Sequence, residues 1–356
     1  MTASCGAAGA VGATAAELID QALRDDVMPG AVLAAGRHEA EPLLLYVAGD
    51  AQRDAAATRP MTADTVFDLA SLTKVVATLP SVLYLVGRAE VGLDDRVRRY
   101  LPAFGPGKDE VTVRQLLLHT SGLPDTRRYY QWLREAAEVR AAALAEPLAG
   151  APGTMVRYSD VGFITLGELV EAVAGCGLDE FVRDVVCAPL GLVATRFRPP
   201  AGWADRIAAT EIVDGAAKVG VVHDENAEVL GGVAGHAGLF GTAADLGRYA
   251  AAWSGDSSPM EGLRAEALRC GTEGLGGRRG LGWGLRHDRW DNMGDGWPEP
   301  GAGHTGFTGT SLSIDPVSGL WAVLLTNAVH FGRGPGHSVV GLRKAVHAAV
   351  AAELLG

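Results

Sequence analysis

A serine and a lysine three residues apart, Ser71 and Lys74, lie in a stretch that is otherwise free of charge from residue 69 to residue 87. Their neighbours Leu72, Val75, Val76, Leu79, Val82, Leu83 and Val86 recur at helical spacing and occupy most faces, which predicts a buried central helix. An ammonium inside such a helix is costly unless it is paired or gives up its proton. Residues at i and i+3 share a helix face, so the hydroxyl and the amine are within reach of each other. A serine hydroxyl is a poor nucleophile until a base takes its proton. A lysine can be that base if burial lowers its pKa from about 10.4 toward neutrality. Arginine could not, because it stays protonated. Lysine occurs at four positions in the chain, 74, 108, 218 and 344.

The pair alone is a weak motif. With twelve serines and four lysines, chance places one pair at this spacing roughly one time in eight. It reads equally as a capping serine and a lysine snorkelling to solvent. Two other stretches strengthen the catalytic reading. Arg157-Tyr158-Ser159-Asp160 follows a Pro-Gly turn and precedes a helical pattern, so Tyr158 falls on a connection, where functional side chains collect. A tyrosine beside a buried lysine can share its proton and pass it to a leaving group. As a core aromatic with a bonded hydroxyl it would do neither. Then Gly303-His304-Thr305-Gly306-Phe307-Thr308-Gly309 lies on a predicted strand. Its glycines let a substrate backbone approach, and its N–H groups can help to form an oxyanion hole.

The elements that must hold these residues follow from pattern and punctuation. Thr14 caps a predicted helix over 15–26. Residues 30–36 and 43–48 read as apolar strands, and 66–70 lead into the Ser71 helix, where Pro80 predicts a break just before it. From there to about 290 the signals are mostly helical: 113–119, a polar helix over 129–148, then 163–173 and 178–186 divided by a glycine C-cap. Thr242 and Asp245 form a predicted capping box for a helix to 252. Residues 281–286, 303–308, 310–315 and 320–326 read as strands, and 338–355 as a final amphipathic helix. The expectation is an α+β chain with one antiparallel sheet built from both ends. The sheet lobe spans about 1–70 and 281–356, a helical lobe about 71–280, and the site lies in the cleft between them. The polar stretch 254–259 and the glycine-rich 274–280 read as loops, not linkers.

Ser-x-x-Lys, Tyr-Ser-Asp and His-Thr-Gly, in this order, resemble the motifs of the penicillin-recognising serine hydrolases. That group includes class C β-lactamases, D-alanyl-D-alanine carboxypeptidases, D-aminopeptidases and β-lactamase-like esterases. The segments FDLASLTK, VTVRQLLLHTSGLP, RYSDVGFITLGELVEAVAG, HDENAEVLGGVAGHAGLFGTAADLGRYA and GHTGFTGTSLSIDP extend the likeness over nearly all of 67–327. The resemblance implies a β-lactamase/transpeptidase-like fold. It implies Ser71 as acylated nucleophile, Lys74 as its base, Tyr158 as partner in proton transfer, and an oxyanion hole from the backbone N–H groups of Ser71 and Phe307. Asp160, His304, Thr305 and Gly306 would border the substrate, and His236, in a glycine-rich loop, is a further candidate for the cleft. Two positions depart from the pattern. The third motif commonly reads Lys-Thr-Gly, whose lysine helps to hold a substrate carboxylate, whereas His304 is largely neutral at pH 7 unless its pKa is raised. The second commonly ends in Asn, whereas Asp160 brings a negative charge or a proton donor. Both weaken the case for β-lactam or D-Ala-D-Ala recognition and leave the acyl-transfer set intact.

At 356 residues and a net charge of −11, the chain is large enough for a substantial core and argues against nucleic acid or an anionic membrane as partner. The apolar run ending at 87 is interrupted by Lys74 and Pro80, which fits a core helix better than a membrane span. A start without basic residues before Arg24 and cysteines without C-x-x-C spacing point to a cytoplasmic protein. No dinucleotide, zinc or G-x-S-x-G elbow motif is present, so no cofactor or metal is expected. His119 reads as a turn organiser. Trp253, Trp283, Trp290 and Trp297 read as core, with an acyl pocket as the alternative. The expected activity is hydrolysis of a small-molecule ester or amide through a Ser71 acyl-enzyme. The alternatives are transfer of the acyl group to an amine or alcohol, β-lactam or D-Ala-D-Ala hydrolysis, and ligand binding without catalysis.

Overall fold

The computed structural model describes residues 14–254 and 262–356. Most of the predicted polar loop over 254–259 lies outside the described residues, as does the N-terminal stretch with Cys5. A seven-stranded antiparallel sheet forms the frame. Its order is Thr58–Pro60, Leu44–Arg53, Gly30–Arg37, Leu320–Thr326, Ser311–Ile314, Ala302–Thr305 and Gly284–Leu285. Strands from near the start and the end of the chain meet at its centre, where Leu33 stands opposite Leu324 and Ala35 opposite Ala322.

The two central strands are apolar runs because both of their faces are covered. Side chains alternate between the faces. Ala31, Leu33 and Leu324 join one core with Ile19, Val346 and Val350, contributed by the helices Ala15–Arg24 and Val340–Leu355. Val32, Val323 and Leu325 join the larger core on the other face. There the helix Ala243–Ala252 packs on the sheet, although its sequence position put it in the helical lobe. Gly247 permits that packing, since a Cβ there would come within 2.8 Å of the Trp321 ring. Thr14 caps the first helix with a full capping box. Thr242 caps Ala243–Ala252, but the box is incomplete: the Asp245 carboxylate accepts instead from the Ala194 N–H and the Thr195 hydroxyl.

The middle of the chain is less regular than its pattern implied. The stretch predicted as one helix over 129–148 is a 3-10 turn, Tyr129–Gln131, and a separate helix, Ala136–Ala145. Short strands also occur there: Leu239–Gly241 lies between Phe67–Asp68 and Arg196–Phe197. The predicted break before Pro80 takes the form of a π turn. Residues Lys74–Thr78 widen so that the Leu79 N–H reaches the Lys74 carbonyl, and Leu79–Gly87 continues as an α-helix. Proline has no N–H to give the preceding turn and its ring crowds that turn. Side chains take up part of the slack, with the Tyr249 hydroxyl donating to the Val75 carbonyl and Ser81 to that of Ala77. This run, Ala70–Gly87, is long and apolar enough to cross a membrane, but 78% of it is buried inside the protein.

Candidate active site

The chain enters the site through a strained turn. Ala70, just before Ser71, has φ +47°, a left-handed conformation that costs an alanine roughly 1–2 kcal/mol. Two bonds from Asp68 oppose that strain: its buried carboxylate accepts from the Ala70 N–H at 2.8 Å and from the His223 N–H at 2.6 Å. The turn presents a half-buried Ser71 to a cleft of about 970 Å³.

Lys74 lies beneath Ser71, completely buried. Its Nζ donates to Ser71 Oγ at 3.0 Å and to the His236 carbonyl at 3.1 Å, and forms an ion pair with Asp160 Oδ1 at 2.7 Å. Three oxygens therefore surround a group with three protons to give. Burial is the largest single influence and disfavours the charge, but Asp160, and after it Tyr158, together outweigh it. They hold the Lys74 pKa above the ordinary lysine value. The expectation of a lysine lowered toward neutrality by burial is therefore corrected. At rest it is an ammonium, and the reason is the acidic residue at position 160.

Tyr158 and Asp160 owe their places to His119. The His119 carbonyl accepts from the Arg157 N–H at 2.8 Å and its Nδ1 from the Ser159 N–H at 3.0 Å, which clamps the backbone on both sides of Tyr158. The imidazole also packs against the Tyr158 ring, centroids 4.6 Å apart and planes tilted by 35°. Burial, then Arg279 and Lys74, push the His119 pKa well below the usual value, so the ring is neutral and Nδ1 is free to accept. Ser159 then caps the helix Asp160–Ala174 through the Gly162 N–H, which places Asp160 in the first turn, where the helix dipole favours a carboxylate. Lys74 Nζ lies 4.9 Å from the centre of the Tyr158 ring.

The opposite wall is the strand Ala302–Thr305 and the turn after it. Thr308 and Thr310 donate to the carbonyls of Asp68 and Leu69, at 2.8 and 3.1 Å, and so fasten this turn to the Ser71 turn. Position 306 must be glycine here, because a Cβ would fall 2.5 Å from the Leu69 oxygen. Arg343, which nothing in the sequence marked, completes the clamp by donating to the Gly306 and Thr310 carbonyls at 2.6 and 3.0 Å. Burial lowers its pKa to about 10. The N–H groups of Ser71 and Phe307 take no part in the backbone bonds that tie these turns together.

His304 and Thr305 line the cleft. The His304 Nδ1 lies 2.9 Å from the Thr305 carbonyl, and an oxygen acceptor there places the proton on Nδ1. Burial first, then Lys74 and Arg279, drive its pKa well below the usual value, so it does not replace the charge of a lysine. Two candidates have different placements from those expected. His236 turns its imidazole to Asp224, 2.9 Å away, and offers the site only its carbonyl. Asp160 faces Lys74 rather than open space. Of the four tryptophans, Trp253, Trp283 and Trp297 are buried core, whereas Trp290 is 46% exposed and lines the cleft. Among the described residues no cluster of three His, Cys, Asp or Glu side chains could hold a metal ion.

Residues 15–340 match the model of the family described as Beta-lactamase. Among curated relatives, a "Putative D-alanyl-D-alanine carboxypeptidase" of Escherichia coli (strain K12) is 31% identical over 306 residues, covering 76% of this chain and 70% of its own. An "N-acetylmuramyl-L-alanine amidase" of Bacillus subtilis (strain 168) is 33% identical over 306 residues, covering 75% and 68%. Among solved structures, "EstCE1, a hydrolase with promiscuous acyltransferase activity" superposes with a TM-score of 0.74 at 24% identity, covering 94% of this chain and 97% of its own. With the β-lactamase/transpeptidase-like fold and a sheet assembled from both ends, the chain belongs to the beta-lactamase family of serine acyl-transfer enzymes.

Proposed function

We propose that the protein hydrolyses a small-molecule ester or amide through a Ser71 acyl-enzyme. The observation that carries this reading is the row Ser71 Oγ, Lys74 Nζ, Asp160 Oδ1, with spacings of 3.0 and 2.7 Å. An ammonium cannot accept a proton, but it can pass one on. As Ser71 Oγ bonds to the substrate carbonyl carbon, its proton moves to Lys74 and a Lys74 proton moves to Asp160, so the lysine stays charged throughout. The carbonyl oxygen becomes an oxyanion on the N–H groups of Ser71 and Phe307. The bond to the leaving group then breaks, and the stored proton returns through Lys74 and Tyr158 to the departing oxygen or nitrogen. Water repeats the sequence in reverse, which frees the acid and restores Ser71.

A second reading has its own support. Met155, Trp290, Phe307 and Val340 are each between 45% and 61% exposed and all four line the cleft. An apolar mouth disfavours water and suits an alcohol or amine acceptor, and the structural neighbour EstCE1 carries acyltransferase activity in its description. The reactive serine is tested with a fluorophosphonate. Covalent labelling of the wild type and its absence in Ser71→Ala are expected, and an unlabelled wild type would remove the proposal. Turnover of an ester panel with and without added amines separates the two readings, since amine-dependent product identifies transfer.

A further inference from the structure

The bonds around Lys74 lead away from the cleft as well as into it. The π turn Lys74–Thr78 lies against residues 235–239, and the residues at its two ends donate to consecutive carbonyls there. Thr78 Oγ1 donates to the Gly235 carbonyl at 2.6 Å and Lys74 Nζ to that of His236 at 3.1 Å. The Leu239 N–H donates to the Thr73 hydroxyl at 3.1 Å, and its carbonyl accepts from the Leu69 N–H at 2.9 Å. Behind this segment stands the helix Asp160–Ala174, so close that a Cβ on residue 235 would fall 2.0 Å from the Phe163 oxygen. The segment that gives Lys74 its third acceptor is therefore wedged between the helices that carry Lys74 and Asp160.

The His236 side chain has an anchor of its own. It is buried, and Asp224 is the one hydrogen-bond partner of its imidazole among the described residues: Nε2 lies 2.9 Å from Asp224 Oδ1, and Nδ1 is buried with none. The same Oδ1 accepts from the Ala227 N–H at 2.8 Å and so caps the helix Glu225–Val229. Burial is the strongest influence on the Asp224 carboxyl and favours its neutral form. His236, the Ala227 N–H and Lys74 outweigh it and hold the pKa well below the usual carboxylate range. An ionised Asp224 can only accept, so His236 Nε2 carries a proton and donates it. The neighbouring His223 N–H donates to Asp68, whose carboxylate also holds the Ala70 N–H. A closed circuit results. It runs from Ser71 Oγ to Lys74 Nζ, through the His236 carbonyl and imidazole to Asp224, and along the chain to His223. Asp68 then returns it to the turn that carries Ser71.

We infer that Asp224 and His236 are positioning residues for acyl transfer: their bond fixes the His236 carbonyl on Lys74 and, with the bond from His223 to Asp68, sets the spacing of Ser71 and Lys74 from outside the cleft. Neither side chain lines the cleft. The inference rests on the acyl-enzyme reading above, since that spacing matters only if a proton crosses it. A lysine held by three oxygens has each of its protons assigned. Releasing the carbonyl lets Nζ swing, and a small misplacement of a reacting group costs up to about 10²-fold in rate. The bond works by geometry, because the charge of Lys74 is already held by Asp160 and Tyr158. Asparagine at 224 is therefore the conservative replacement, as its amide oxygen can accept from both His236 and Ala227.

The test measures fluorophosphonate labelling of Ser71 and turnover of phenyl acetate by the full chain. Asp224→Ala is expected to lower kcat roughly 10- to 100-fold with KM within about threefold, and to slow labelling by a similar factor. Asp224→Asn should recover most of both losses without altering the pH–rate profile. Should Asp224→Ala fail to fold, His236→Leu removes the same bond, fills most of the space and leaves the half-buried Asp224 its Ala227 N–H; it should repeat the loss in kcat. Since both substitutions break one bond, the double variant D224A/H236L should be no slower than the slower single one. Three results overturn the assignment: a folded D224A or H236L with kcat within about twofold of the wild type, losses that multiply in the double variant, or an Asp224→Asn as slow as Asp224→Ala. A wild type that fluorophosphonate leaves unlabelled counts instead against the acyl-enzyme reading.

Discussion

Two lysines are almost wholly buried in this protein, and they are held in opposite ways. Lys74, in the helix that begins at the Ser71 turn, pairs with Asp160 and keeps its proton more tightly than a free lysine. Lys108 donates to the Leu144 and Glu146 carbonyls at 2.6 and 2.8 Å and lies 4.1 Å from the centre of the Phe104 ring. Burial pulls its pKa down to about 8, with Glu146 opposing weakly. The carbonyls belong to the C-terminal end of the helix Ala136–Ala145, where a cation complements the dipole. Burial and carbonyl acceptors leave a lysine easy to deprotonate, whereas a carboxylate in contact reverses that. The lysine lowered toward neutrality is thus the one remote from the cleft, and the one beside Ser71 is fixed as a cation.

Exchanging either lysine should separate the two roles. Lys74→Met and Lys74→Arg are both expected to reduce ester turnover by about 10³-fold or more, the first by removing the relay and the second by keeping a proton that never moves. Lys108→Met should leave turnover within a few-fold and lower the unfolding free energy by about 2–4 kcal/mol, as two buried carbonyls lose their donors. Near-normal activity in Lys74→Arg would break the comparison.

Asp160→Asn tests the reason for the difference. Without the carboxylate, burial should dominate at Lys74 as it does at Lys108. Turnover should fall by about 10²-fold, an effect of general acid–base size, and the pH–rate profile should acquire an ionisation between about pH 7 and 10 that the wild type lacks. An unchanged profile would show that Asp160 does not set the charge of Lys74.

Smaller effects appear in stability at alkaline pH. A lysine depressed in the folded state contributes stability present above its unfolded pKa and lost as pH falls through the folded one. Lys108 should therefore add up to about 2 kcal/mol as pH rises from about 8 to about 10.4. The raised Lys74 contributes stability that is fully present below about 10.4 and lost as pH climbs toward its folded value. Denaturant titrations at pH 8 and 10 should show the gain in the wild type and not in Lys108→Met. The acid side has a counterpart in His347, buried against Ser311 and Ser313 and pushed down to about 3 by burial and Arg343. Its neutrality favours the folded state above about pH 6.5. That stability is lost by about 1.4 kcal/mol per unit as pH falls below this point, and His347→Gln should flatten the slope.

Much of the frame was legible in local pattern. The run 320–326 coincides with the strand Leu320–Thr326, since an apolar segment of that length between turn residues has few other uses. Pro80 marked the break before it, because a missing N–H acts where it stands. The stretch 129–148 misled, as its polar composition suits a helix while the chain stops for a 3-10 turn at Tyr129–Gln131. His236 misled for a related reason: a glycine-rich loop signals close approach but not which part of a residue approaches. Arg279 and Arg343 gave no signal, since one arginine among many reads as surface until a fold encloses it.

By itself, then, the sequence determined the order of the motifs, the apolar strands and the place of the Ser71 turn, all set by chemistry within a few residues. Only the tertiary structure decided the charge of Lys74, the neutrality of His304 and the clamp that Arg343 places on the Gly306 turn. Proton affinity and electrostatic potential depend on which distant groups come within a few ångströms, and on how much water is left between them.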